Sequence, residues 1–416
     1  MFIKRKHCFT LALFFIATIA YSQGETHRWY FGRFLGLDFS SGTAIPVNDG
    51  QLNTTEGVAS ISDAGGNLLF YTDCITVYNR LHQVMQNGNG LWGNTSSTQS
   101  AVVVPWIEDP SRYYIFTVDA QGGPGGLRYS VVNMTLDNGN GGIESKNIGL
   151  QANVVEKITA VRHCNNRDVW VLAHGVASNT YYAFLVSAGG VSTVPVISNT
   201  GAVLPGVIPP SSIDSSSLGY LKASPDGKKL AAANFTVSAD LSDFDNATGV
   251  VSNSINLFLP TERHYCAYGI EFSPNSQLVY TTVFYTDPVT AQKKNVLLQY
   301  DGSLPTPAAI IASRQIIAQN SDPIQSFAAL QVAPDGKMYM AKNTYKHIAC
   351  INEPDVYGPG CGYVNNAVQY MLSNQFSSFG LPTFVQSYFY PPDSFTYTTD
   401  CPGATFHFNY IMKGGT

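Results

Sequence analysis

Residues 224–229 read Ser-Pro-Asp-Gly-Lys-Lys within the run GYLKASPDGKKLAAANF (219–235), which places apolar stretches on both sides of a turn. The chemistry of the turn is plain. Proline pre-sets the backbone of the second turn position, aspartate bonds back to nearby amides, and glycine accepts positive φ without a clash. Flanking runs such as Leu230-Ala231-Ala232-Ala233 predict two antiparallel strands joined tightly. The same arrangement returns as GIEFSPNSQLVYTTVF (269–284) and ALQVAPDGKMYMAKN (329–343). One copy would be a surface hairpin; recurrence is the mark of a repeat architecture.

With this turn as a ruler, weaker copies emerge upstream in VASISDAGGNLLFYTD (58–73), SAVVVPWIEDPSRYYIFTVDA (100–120) and ITAVRHCNNRDVWVLAHG (158–175). Turns near 63, 108, 165, 226, 275 and 335 give intervals averaging roughly 54 residues, each filled with further strand-like sequence such as LRYSVVNMTL (127–136) and NVLLQYDG (295–302). That length and strand content predict an all-β protein, a β-propeller of four-stranded blades. With 37 glycines and 22 prolines punctuating the chain, no amphipathic helix is expected. Six units span about 52–365. The leftover strand-like pieces 28–47 and 380–390 predict a seventh blade built from both chain ends, with six blades as the alternative count.

Composition narrows the function. Charged residues make up 12% of the 416, and net charge is −5 with no basic cluster beyond the extreme N-terminus, which argues against nucleic acid and anionic membrane surfaces as partners. MFIKRKHC followed by the apolar FTLALFFIATIA (9–20) reads as a signal peptide over 1–22, with the mature chain starting at Gln23. No second apolar stretch approaches twenty residues, so no membrane insertion is expected after processing. The propeller is expected over 23–392, and the Pro-Pro break leaves 393–416 as a linker or the truncated start of a following domain. Six cysteines remain beyond the signal segment. Cys350 and Cys361 bracket a Pro/Gly-rich turn, and a disulfide is expected between them in an exported protein.

Catalytic chemistry finds little support. Glu56 and Asp73 are the most tempting acid/base carboxylates, but such residues at strand ends more often bond neighbouring backbone. His163 and His174 flank the strand around Trp170, too far apart along it to converge on a metal. DFDNATG (243–249) and DNGNGG (137–142) echo calcium loops without their regular oxygen ligands. QGGPGG (121–126) leads into a strand, not a helix, and reads as a flexible loop rather than a phosphate cradle. Trp29, Trp92, Trp106 and Trp170 could stack on sugars, though blades pack most of their aromatics internally. No catalytic, metal or cofactor residues are assigned.

Taken in order, WYFGRFLGLDFSSG (29–42), GQLNTTEGVASISDAGGNLLFYTD (50–73), NTSSTQSAVVVP (94–105), YYIFTVDAQGGPGGLRYSVVNM (113–134), GYLKASPDGKKLAAAN and GLPTFVQSYF (380–389) resemble the N-terminal propeller module of large secreted Bacteroidota proteins. In those proteins PKD repeats and a gliding-motility-associated or type IX secretion sorting domain follow the propeller. The resemblance implies a secreted or cell-surface module and carries no catalytic residues. The expectation is a monomeric, non-enzymatic module that binds a glycan or protein ligand in adhesion or recognition. Its contact surface is expected on the insertions 83–99, 198–217 and 236–253. The alternatives are a polysaccharide-acting enzyme with its site in the propeller mouth, and an architectural spacer.

Overall fold

The computed structural model describes residues 24–206, 215–262, 264–321, 326–370, 372 and 374–390, and the backbone of two further strands at 394–399 and 406–411. The signal-peptide assignment to 1–22 lies outside the described residues. The protein is all-β with a propeller arrangement. Strands β1 (Arg28–Phe31), β2 (Leu35–Asp38) and β3 (Ile45–Val47) form an antiparallel sheet. An eight-stranded sheet follows. It comprises one meander of β4 (Ala59–Ser62), β5 (Leu68–Thr72), β6 (Thr76–Asn79) and β7 (Val84–Asn89), and a second of β8 (Ala101–Pro105), β9 (Arg112–Val118), β10 (Leu127–Asn133) and β11 (Gly142–Gln151). The two meanders touch edge to edge through a single parallel pairing, Gly142 with Gln86.

Next come β12 (Val154–Arg162), β13 (Val169–Gly175), β14 (Thr180–Ser187), β15 (Gly190–Val191) and β16 (Val196–Asn199), with β15 and β16 both on β14. Three four-stranded meanders complete the set. They are β17 (Leu221–Ala223), β18 (Lys229–Asn234), β19 (Ser238–Asp245) and β20 (Val250–Asn256); β21 (Cys266–Phe272), β22 (Leu278–Thr286), β23 (Lys293–Asp301) and β24 (Gln315–Asn320); and β25 (Phe327–Val332), β26 (Met338–Lys342), β27 (His347–Ile351) and β28 (Tyr363–Gln369). Two strands beyond the propeller, β29 (Ser394–Thr399) and β30 (Phe406–Ile411), pair with each other.

Burial runs in a gradient across each meander. First strands such as β4, β17 and β25 are buried at every residue, whereas last strands such as β20, β24 and β28 are mostly exposed or half-exposed. A strand covered on both faces reads as a continuous apolar run, which is why AVVV, ITAV and FAAL stand out in the sequence. The first strands therefore lie innermost, side by side: β12 packs against β8 and β17, and β21 against β17 and β25.

All six turns expected from the repeat join a first strand to a second. In the sharpest copy the Gly227 amide donates to the Ser224 carbonyl at 2.8 Å with Gly227 at φ 73°, and the Lys228 amide donates to Asp226 Oδ1 at 3.1 Å. Ser276 takes the corresponding positive φ in the glycine-free copy. Among the described residues one α-helix, besides short 3-10 turns, departs from the all-strand expectation: α1 (Pro307–Ala312), capped by the Thr306 hydroxyl and opened by Pro307. The segment 236–253 is also not an inserted loop. It is the β19–β20 hairpin itself, one regular half of a meander.

The two chain ends meet differently from the blade expected of them. Residues 381–390 form no ladder with 28–47. One antiparallel bridge, Arg33 with Phe376, joins the ends, and the chain then leaves β1. It runs parallel to the innermost strands, bridging Val58 through Pro382 and Ala160 through Val385. Pro382 has no amide to offer a ladder, and Gly380 sits so tightly that an added Cβ would stand 1.9 Å from the Glu56 carbonyl oxygen. Along the way Phe379 accepts from the Ala329 amide, the Thr383 amide donates to Val58, and the Arg162 amide donates to the Ser387 hydroxyl. This segment touches the innermost strands of several sheets and fills the axis between them, with Leu381, Phe384, Val385 and Tyr388 buried.

The expected Cys350–Cys361 disulfide is absent; both are separate buried thiols. Cys350 lies on β27 opposite Tyr339, while Cys361, in the turn before β28, faces Tyr280 of the preceding sheet. The two sulfurs thus serve different packing interfaces.

Candidate mouth of the propeller

The innermost strands all begin at one end, and hydrogen bonds stitch their entries into a ring. The Gly57 amide donates to Ser97, Gln99 to Glu156, and Tyr220 to Tyr268, each through backbone groups. The Leu221 amide donates to Gln99 Oε1 at 2.6 Å, and the Gly219 amide to Thr98 Oγ1 at 3.2 Å. Phe379 closes the centre through its amide to the Thr55 carbonyl.

Ionisable groups crowd this ring. Glu156 is fully buried: Oε1 accepts from the Thr98 amide at 3.0 Å and hydroxyl at 2.6 Å, and Oε2 from the Gln121 amide at 2.6 Å. Lys157, its neighbour on β12, points to the opposite side and donates to the Leu218 and Ala233 carbonyls and to Asn234 Oδ1. His174 is buried edge-on to Tyr181, and burial with the nearby Lys157 charge pushes its pKa down to about 3, so it stays neutral. Glu56 differs from these. Its Oε1 accepts from the Tyr268 hydroxyl at 3.0 Å and the Ser96 side chain also lies by the carboxylate, but no well-aligned hydrogen bond reaches its buried Oε2 among the described residues. Burial, then repulsion from Glu156, raises its pKa to about 8. At neutral pH Glu56 is therefore largely a neutral acid.

Of the residues singled out in the sequence, Glu56 alone falls on this ring with an unused oxygen. No hydrogen bond joins it to Asp73, whose Oδ1 closes its own turn by accepting from the Ile75 and Thr76 amides. His163 stacks on Trp170 and bonds the Ala247 carbonyl, far from the partners of His174. In the calcium-like segment, Asp243 pairs with Lys229 and Asn253 while Asp245 closes its own turn. Among the described residues no group of three His, Cys, Asp or Glu is placed to hold a metal. The glycine-rich loop is not loose: the Asp119 carboxylate accepts from the Ala120 and Gly125 amides and gathers it into a tight turn.

Glu156, Lys157, Tyr220 and Tyr268 were not anticipated. Their signal was present in NVVEKITA (153–160), where two adjacent charges interrupt a run otherwise apolar enough to be buried on both faces. A charge in such a strand must find partners. A second missed set occupies one repeat position, two residues before each of the three sharpest turns: Lys222, Glu271 and Gln331. The Lys222 ammonium donates to Glu271 Oε2 at 2.7 Å and to Gln331 Oε1, with both charged side chains fully buried. Burial drives Lys222 down and Glu271 up, each opposed by the other's charge.

Beside the ring, on the same end, Val203, Pro205, Val237, Asn256, Phe258 and Leu259 line a groove of about 490 Å³. Glu262 closes one side, ion-paired with Arg314. Among the described residues no helix is long and apolar enough to cross a membrane.

No family model matches the chain, and no curated protein does. Solved structures similar to it include a 6-phosphogluconolactonase-like protein from Bacteroides fragilis, at 9% identity over 86% of this chain and 97% of that one, with a TM-score of 0.46. A similar protein from Bacteroides uniformis shares 12% identity over 80% and 94%, TM-score 0.46. A β-propeller domain from Myceliophteria thermophila shares 8% over 76% and 94%, TM-score 0.43. No residue role is carried over from any of them.

Proposed function

We propose that the protein is a seven-bladed propeller that acts as a binding module at the cell surface of an exporting bacterium, recognising a glycan or protein without turning it over. The proposed count divides the eight-stranded sheet at its single Gly142–Gln86 pairing and takes the three-stranded β1–β3 sheet as the seventh unit. The secreted, Bacteroidota-type setting rests on the leader-like N-terminus and the ordered motif resemblance.

The observation that carries the non-catalytic reading is the filled axis. The channel along which a propeller could admit substrate is occupied by residues 379–390, and the Glu156 and Lys157 charges at its entry are consumed by internal hydrogen bonds. Recognition then falls to the rim, where loops from successive blades are displayed. One specific feature favours the enzyme alternative: Glu56, a neutral acid at physiological pH with one oxygen unused. Among the described residues its neighbouring carboxylate, Glu156, is already taken up by Thr98 and Gln121, which leaves no free partner of the kind paired-acid glycoside hydrolysis requires.

Screening the purified protein on a glycan array and on isolated cell envelopes tests the reading. Saturable binding with no product released from a polysaccharide panel is expected. Turnover that disappears in Glu56→Gln, with the fold intact, would establish the enzyme alternative instead.

A further inference from the structure

Three of the four tryptophans are held inside or against the fold. Trp29 and Trp170 are buried, and Trp106 lies stacked on Tyr114. Trp92 is 54% exposed, yet it is firmly held. It stands in the connection from β7 to β8, on the mouth-bearing end and at the seam between the two meanders of the eight-stranded sheet. Its amide donates to Asn147 Oδ1 at 2.9 Å, and Asn147 Nδ2 donates to the Gly90 carbonyl at 2.9 Å, so one side chain fixes the approach to the ring. The Arg128 guanidinium lies 4.3 Å from the ring centroid and is itself anchored, Nε to the Gly125 carbonyl at 2.6 Å and Nη1 to the Asn147 carbonyl at 3.2 Å. With Arg128 covering one face, exposure of this size belongs to the opposite face and the ring edge.

A fixed, solvent-facing indole is hydrophobic surface left uncovered in free protein, and the surroundings say what would cover it. An apolar protein partner selects a contiguous patch of several hundred Å². Here the neighbours are polar: Arg128 lies over one face of the ring, Asn147 bonds the Trp92 backbone, and the next side chain along β11, Lys146, is held by Asn87 Oδ1 and the Asn89 carbonyl. Among the described residues the hydrogen bonds of the Arg128 guanidinium are made by Nε and Nη1, not by Nη2.

We infer that Trp92 is the stacking platform of a carbohydrate subsite, which takes the apolar face of a pyranose on the open side of the ring while Arg128 backs the indole, Asn147 holds its backbone and Arg128 Nη2 meets a ring hydroxyl. A pyranose has this composition, one face of C–H groups rimmed by hydroxyls. The inference rests on the binding-module reading and assigns it a ligand class and a place.

The test uses the full chain and intrinsic fluorescence, since Trp92 is the most exposed indole. Cellohexaose, xylohexaose and laminarihexaose are titrated against wild type, Trp92→Ala, Trp92→Phe and Arg128→Lys, with calorimetry in parallel. Binding of at least one oligosaccharide with a blue shift is expected, weakened tenfold or more in Trp92→Ala at unchanged thermal midpoint, with Trp92→Phe recovering part of the loss. Calorimetric binding that Trp92→Ala leaves intact overturns this subsite and spares the binding-module reading. If no oligosaccharide binds wild type, the subsite falls together with the glycan side of that reading.

Discussion

Glu56 has a folded-state pKa of about 8 against 4.5 for an unperturbed glutamate, so between those values the folded state holds a proton that the unfolded chain releases. Stability from this residue is therefore complete below about pH 4.5, declines as pH rises through the window, and levels off above about pH 8. Thermal midpoints measured across this range should fall more steeply for wild type than for Glu56→Gln, and equal slopes would show that the carboxyl is not held neutral. The buried trio gives a second expectation. Lys222→Met strands Glu271 without a counter-charge and should cost about 3–5 kcal/mol by urea denaturation, whereas Lys222→Met with Glu271→Leu should recover most of it. A third concerns thiols. Exposed Cys164 should alkylate in native protein, while Cys350, its pKa pushed up to about 12 by burial, and Cys361 should react only after denaturation without reductant. A linked 350–361 peptide would reinstate the bridge expected from sequence. At this scale the sequence was a partial guide. It exposed Glu56 because that residue stands alone in a polar stretch, but the Lys222–Glu271–Gln331 contact arises from curvature that brings one repeat position of three sheets together, and no single repeat displays it.

Turns and innermost strands were the most legible elements, because each rests on local chemistry: Pro and Gly preset the turn, and burial on both faces demands an unbroken apolar run. The β19–β20 hairpin was misread as an insertion since DFDNATG is polar and all but one of β20's residues are exposed or half-exposed, which leaves no apolar signature. The axial segment was seen as strand-like but not as a plug, because its place depends on what the other sheets leave open. Its tightest point supplies a prediction. Gly380→Ala puts a methyl into the Glu56 backbone and should destabilise by about 3 kcal/mol or more, read from the denaturation midpoint. A variant of wild-type stability would mean that the segment does not pass so close.

Across the whole molecule, the first and last sheets meet through side chains rather than a ladder: Trp29 and Phe39 pack on Tyr339, and Trp29 also packs on Phe384 of the axial segment. Trp29→Ala should cost about 3–5 kcal/mol and speed amide exchange in 28–47 well beyond that in β12 and β13. Uniform exchange would mean that the ring has no weaker seam. The overall class was readable because the repeat carries it; closure was not, because it is a property of the assembled ring. The axial segment has a mechanical consequence as well. It lies parallel to β4 and β12, and its far end emerges beside Arg162, opposite the mouth. Tension applied beyond Tyr390 would pull along the strand direction, loading these contacts in shear all at once instead of peeling them one by one. The segment would behave as a toggle drawn through a ring, and the hydrophobic side chains that seat it would have to slide past their neighbours before any sheet could open.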